Sequence, residues 1–192
     1  MFINLFFMKT HNWTIASLLI IIISSCGVKK SYLTGDIRTT IESGGVNLMA
    51  IQYYVDRDVE LRRELSSGET KVAGGKVKFE NGKYIHIIRL KKYTPGVCTK
   101  AYPGSLQISF EADDGKYLTF GIESSGGGTS KIYQLYAQEW VKSGINIGTG
   151  KINYDKQTYY VQPSGTDAKI MIKKSIAMKK KVKKRTMKGR KV

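Results

Sequence analysis

The sequence predicts a mainly β chain: an antiparallel β-sandwich or a small β-barrel, with a disordered basic C-terminal tail. Three features carry this. Apolar residues recur at every second position in short runs, turn-forming residues separate the runs, and basic residues crowd the C-terminus. The chain has 192 residues, 41% of them hydrophobic, with 20 Gly and only 3 Pro. That composition excludes collagen-like and wholly disordered classes, and the length suits one domain with a real core. Two Cys exclude a disulfide-rich scaffold.

Residues 1–25 read as a leader. Lys9 and His11 precede the uncharged run IASLLIIII, residues 15–23, and Ser24, Ser25, Cys26 and Gly27 follow. A basic segment, a short apolar segment and small residues before a cut describe a secretory signal peptide. The run is too short to span a hydrocarbon core, which needs about 20 apolar residues.

Ile23-Ser24-Ser25-Cys26 resembles the lipobox of bacterial lipoprotein precursors. The resemblance covers the leader and Cys26 only. It implies cleavage before Cys26, a diacylglyceryl thioether on its sulfur and a membrane-held mature chain in the cell envelope. Gly27 rather than Asp follows the Cys, which in enterobacterial lipoproteins implies the outer membrane. A single acyl chain binds a bilayer only marginally, at about 10⁴ M⁻¹, whereas two anchor stably.

Residues 26–45 read as the lipidated Cys and a flexible tether, because 27–45 is rich in Gly, Ser and Thr and has no apolar period. Residues 46–175 form the expected β-domain. Val59, Leu61 and Leu65 alternate with charged neighbours, as do Val77 and Phe79. Asn81-Gly82 is a strong hairpin signal, since both residues tolerate positive φ, and residues 83–90 supply the partner strand. Leu106, Ile108 and Phe110 alternate next, and Asp113-Asp114-Gly115 turns the chain into residues 116–122. A further hairpin turns at Asp155-Lys156. Ala168, Ile170 and Ile172 close the series. Seven to ten strands are expected. Residues 130–143 fit either one helix or two short strands. Residues 92–104 hold two of the three Pro and read as a loop rather than a central strand.

The charge is uneven. The net value is +17, yet residues 26–168 hold 19 basic against 15 acidic residues, while 169–192 hold 12 basic residues and no acid. Residues 176–192 are a polybasic tail, in which Lys179, Lys180, Lys181, Lys183, Lys184, Arg185, Lys188, Arg190 and Lys191 are the candidate contacts to an anionic surface. Each such residue near an anionic bilayer contributes about 1 kcal/mol. The competing reading is a solvated tail. Nucleic acid is disfavoured, because no aromatic is interleaved to stack bases.

No catalytic constellation stands out, and no cofactor or metal is called for. GxSxG, HExxH, CxxC and GxxxxGK[ST] are absent. The glycine run at 126–128 lacks the Lys of a phosphate loop. His86 and Cys98 could pair as base and nucleophile, although a lone Cys is more often a small buried hydrophobe. The Tyr53-Tyr54 and Tyr159-Tyr160 doublets place one ring on each face of a strand. Exposed Tyr suits a protein or glycan surface. The sequence therefore favours a membrane-anchored envelope lipoprotein that acts as a binding or structural module for an envelope protein or glycan. The alternative is an apolar-ligand carrier with a lipid inside a barrel. An envelope-polymer hydrolase has no residue pattern behind it.

Overall fold

The computed structural model describes residues 28–66, 68–69, 74–113, 115–122, 131–141 and 148–178. Cys26 and the nine basic residues from Lys179 to Lys191 lie outside the described residues. The strands in chain order are β1 (Lys30–Tyr32), β2 (Gln52–Val55), β3 (Val59–Glu64), β4 (Lys76–Glu80) and β5 (Lys83–Leu90). β6 (Pro95–Tyr102), β7 (Ser105–Ser109), β8 (Tyr117–Gly121), β9 (Gln134–Leu135) and β10 (Glu139–Trp140) follow. β11 (Gly150–Tyr154), β12 (Gln157–Val161) and β13 (Ile170–Lys173) complete the set. Two short helices, α1 (Gly35–Ser43) and α2 (Lys174–Ala177), flank them. The 13 strands among the described residues exceed the expected seven to ten, because three of the extra pieces are only two or three residues long.

Two antiparallel sheets result. One has seven strands in the order β1-β13-β2-β6-β7-β8-β9, and the other has six in the order β10-β11-β12-β3-β5-β4. They share one core. Tyr53, Val55, Ile108, Phe120 and Ile170 from the first sheet meet Val59, Leu61, Ile152, Tyr159 and Val161 from the second. Burying each such side chain stabilises the fold by about 1.5–3 kcal/mol before chain entropy is counted. Among the described residues each sheet ends in free edges and no barrel closes, so the sandwich describes this fold.

The hairpin expectations hold. Glu80 pairs with Lys83 across Asn81-Gly82, both of positive φ. Tyr154 pairs with Gln157 across Asp155 and Lys156, whose φ values are 52° and 60°. Of residues 130–143, the described residues 131–141 follow the two-strand alternative, as β9 and β10.

Three expectations need correction. Residues 92–104 are not a loop: β6 lies inside the seven-stranded sheet, between β2 and β7. The ladder tolerates Pro95 because it is the first residue of the strand, and Pro103 sits in the turn before β7. Gly96 follows Pro95 because a Cβ there would lie 2.7 Å from the Phe110 ring. Residues 30–43 do not form the expected tether. From Lys30 on, the chain joins the fold as β1 and α1, with Leu33 and Ile41 fully buried. Thr34 caps α1 by accepting the Ile37 N–H at 3.2 Å. The apolar period was hidden there because a three-residue strand and a nine-residue helix each show too few repeats. Lastly, the domain runs past 175, since Ile176 and Ala177 pack against the core within α2.

Candidate functional site

The first feature with functional content is a corner where the two ends of the domain meet. β1 and β13 pair antiparallel, setting Lys30 opposite Lys173. The Lys174 N–H donates to the Lys29 carbonyl at 2.9 Å. Directly opposed like charges on adjacent strands repel. The Lys30 ammonium is instead drawn to two rings, with its Nζ 4.8 Å from the Tyr54 centroid and 4.6 Å from that of Tyr93. Lys92 Nζ lies 4.9 Å from the Tyr93 centroid. Such cation–π contacts are worth about 0.5–1 kcal/mol when exposed. Tyr32 and Tyr93 are exposed. Among the described residues, Lys29, Lys30, Lys92, Lys173 and Lys174 form no ion pair with a carboxylate. Elsewhere the described Glu side chains are largely paired: Glu64 with Lys83, Glu60 with Arg62 and Arg89, Glu139 with Lys151. Unneutralised ammonium groups among amphipathic rings can receive an anionic, partly apolar surface.

This corner escapes sequence reasoning. Lys30, Tyr54, Tyr93 and Lys173 come from four separate stretches, and only the β1–β13–β2 pairing unites them. Its one local sign is the Tyr53-Tyr54 doublet. Tyr53 is fully buried and donates its hydroxyl to the Leu48 carbonyl at 3.0 Å, while Tyr54 points to the opposite face. Tyr159 and Tyr160 divide in the same way.

The second feature is a cleft of about 280 Å³ between the sheets. Leu61, Ile88, Leu90, Phe110 and Leu118 line it, and Tyr154 and Glu111 supply polar atoms. Burial, with the Glu111 carboxylate adding, raises the Tyr154 hydroxyl well above the ordinary phenol range, so it stays neutral. The volume lies at the lower edge of small-molecule sites.

The third feature is a set of polar contacts within the fold, which leaves one buried side-chain atom among the described residues, Arg63 Nε, without a hydrogen-bond partner. His86 on β5 meets the Tyr159 hydroxyl at Nδ1 and the Gly74 carbonyl at Nε2, both at 2.8 Å. The Gly74 carbonyl can only accept, so Nε2 carries the proton and Nδ1 accepts from Tyr159. Arg63 forms a two-pronged pair with Glu69 at 2.7 and 2.9 Å and stacks over the Tyr159 ring. Arg38, a buried residue of α1, donates to the Tyr133 hydroxyl at 2.8 Å and to Glu42 at 3.0 Å. Asp56 accepts the Lys169 N–H and Asp58 the Lys92 N–H, so both carboxylates serve the backbone.

The structure does not bring His86 and Cys98 together. Both nitrogens of His86 are engaged within the six-stranded sheet, whereas Cys98 lies on β6 of the other sheet and donates to the Lys100 carbonyl at 3.3 Å. Burial pushes the Cys98 thiol above its ordinary range, the reverse of what a nucleophile needs. Among the described residues no three of His, Cys, Asp and Glu converge as metal ligands. Comparison of the chain with protein-family models, curated proteins and solved structures finds no match.

Proposed function

We propose that this chain is a lipid-anchored protein of the bacterial cell envelope, attached through Cys26, whose β-sandwich is a binding or structural module held against the bilayer face. One observation carries the reading: the β1–β13 pairing brings the segment after Cys26 and the segment before the polybasic tail to one corner. Cys26 precedes Lys30 by four residues, a reach of at most about 14 Å. A lipid on Cys26 therefore holds the Lys29, Lys30, Lys173 and Lys174 cluster at headgroup depth, and the tail starts in the same place. Lipid insertion and charge attraction then act as two signals on one surface.

Intact-mass measurement of the membrane-extracted chain should give the mass of the form beginning at Cys26 plus its acyl groups, and Cys26→Ser should remove that mass. A wild-type chain without added lipid ends the proposal. In vesicle sedimentation, the Cys26→Ser chain should bind vesicles rich in anionic lipid. Changing Lys30 and Lys173 to Gln should weaken binding by about tenfold or more, from about 1 kcal/mol per residue. Unchanged binding removes the corner from the argument.

The inter-sheet cleft favours a second reading, carriage of a small apolar ligand against Leu61, Ile88 and Phe110. Native mass spectrometry should then find a co-purified ligand that is lost when Leu118→Trp fills the cleft.

A further inference from the structure

Among the described residues β4 is a free edge of the six-stranded sheet, and its sequence is Lys76-Val77-Lys78-Phe79-Glu80. An unpaired edge offers backbone donors and acceptors to another strand. Which groups face outward follows from the hairpin. In a two-residue turn, the flanking pair, here Glu80 and Lys83, exchanges both backbone bonds. Lys76 and Lys78 then also bond toward β5, and Val77 and Phe79 direct their N–H and C=O groups away from it.

Val77 and Phe79 lie on the sheet face that, nearer the centre, carries Ile88 and Leu61 into the core. The seven-stranded sheet does not cover them. Val77 is 45% and Phe79 66% exposed. Tyr84, opposite Phe79, is 59% exposed, and the two ring centroids are 5.0 Å apart. An apolar aromatic strip thus borders an unpaired strand edge.

We propose that the occupant of this edge is β4 of a second copy, in antiparallel register about Lys78. That register pairs all five residues. Val77 of each copy meets the other's Phe79, and these are the residues whose backbone groups face outward, so the two pairs exchange four hydrogen bonds. Lys76 of each copy meets the other's Glu80, giving two opposite-charge pairs on the solvent face. The single like-charged pair is Lys78 with its symmetry mate, and each Lys78 already has its own Glu80 at 3.6 Å. Centring on Val77 instead would oppose Lys76 and Lys78, two like charges. Centring on Phe79 would run Val77 against the turn. The contact is two-fold and self-complementary, so it closes at a dimer.

Cysteine crosslinking in the full chain tests both pairing and register. Directly opposed residues of a non-hydrogen-bonded pair lie about 4.5 Å apart at Cα, within disulfide reach. Lys78→Cys should therefore give a covalent dimer on mild oxidation. In Lys76→Cys, the two thiols are four residues apart along the ladder, about 13 Å, and should not link. The expected dimer yield is about tenfold higher for Lys78→Cys than for Lys76→Cys or the unsubstituted chain, which carries Cys26 and Cys98. Equal yields overturn the proposal. A charge exchange gives a second test by light scattering. Lys76→Glu and Glu80→Lys should each reduce the dimer alone, and an equimolar mixture should recover it. A mixture that remains monomeric also overturns it.

Discussion

His86 and Tyr159 join two strands of the six-stranded sheet that are not adjacent, with β3 between them. The buried Nδ1 of His86 has the Tyr159 hydroxyl as its donor, so Tyr159→Phe leaves it unsatisfied. The expected cost is about 1–3 kcal/mol, read as a lower denaturant midpoint at unchanged slope. Gly96 is constrained by space instead of charge. Gly96→Ala drives a methyl into the Phe110 ring and should cost about 1–3 kcal/mol. Three buried acids set the alkaline limit. Burial raises the Cys98 thiol and the Tyr53 and Tyr154 hydroxyls above their ordinary values. Between the unfolded and folded pKa values, the unfolded chain has released protons that the native chain retains, so stability falls as pH rises. These groups contribute fully below about pH 8, and the loss begins near pH 8.5 for the thiol and near 10 for the phenols. Denaturation curves in steps above pH 8 should show it, and Tyr154→Phe should flatten the part above about pH 10.

Hairpins are the elements most legible in the chain. Asn81-Gly82 announces its own turn because both residues accept positive φ without a Cβ penalty of consequence. Asp155-Lys156 adopts the same geometry with a poorer residue, since Lys156 holds φ 60° against its steric preference. Lys156→Gly should relieve that strain and raise the thermal midpoint by about 2–4 °C per kcal/mol gained. A lower midpoint would mean that the lost Lys side chain matters more than the turn. α1 announces itself less clearly, although Thr34 is a standard cap. Thr34→Ala should cost about 1 kcal/mol through the freed Ile37 N–H. β6 is not legible as a strand because Pro counts against a central strand only where its N–H is needed, and at the first position of a strand, where Pro95 sits, that demand lapses.

For the whole molecule, the central fact is that β1 closes the seven-stranded sheet beside β13. Leu33 and Ile41 are then part of the core, and removing residues 28–45 should leave a chain without a cooperative unfolding transition, whereas a dispensable tether would leave the transition intact. Leu33→Ala alone should cost about 2–5 kcal/mol by the same test. The alternating apolar runs, the two positive-φ hairpin turns and the excess of basic over acidic residues at the C-terminus were determined by the sequence itself. Each depends on neighbours within a few residues, where side-chain period and turn sterics act. The meeting of the chain ends, the Lys30–Tyr54–Tyr93 cluster, the separation of His86 from Cys98 and the bare face of β4 were decided only by tertiary structure. They depend on which strands pair, and pairing is a long-range choice made by the total apolar area that two sheets can bury.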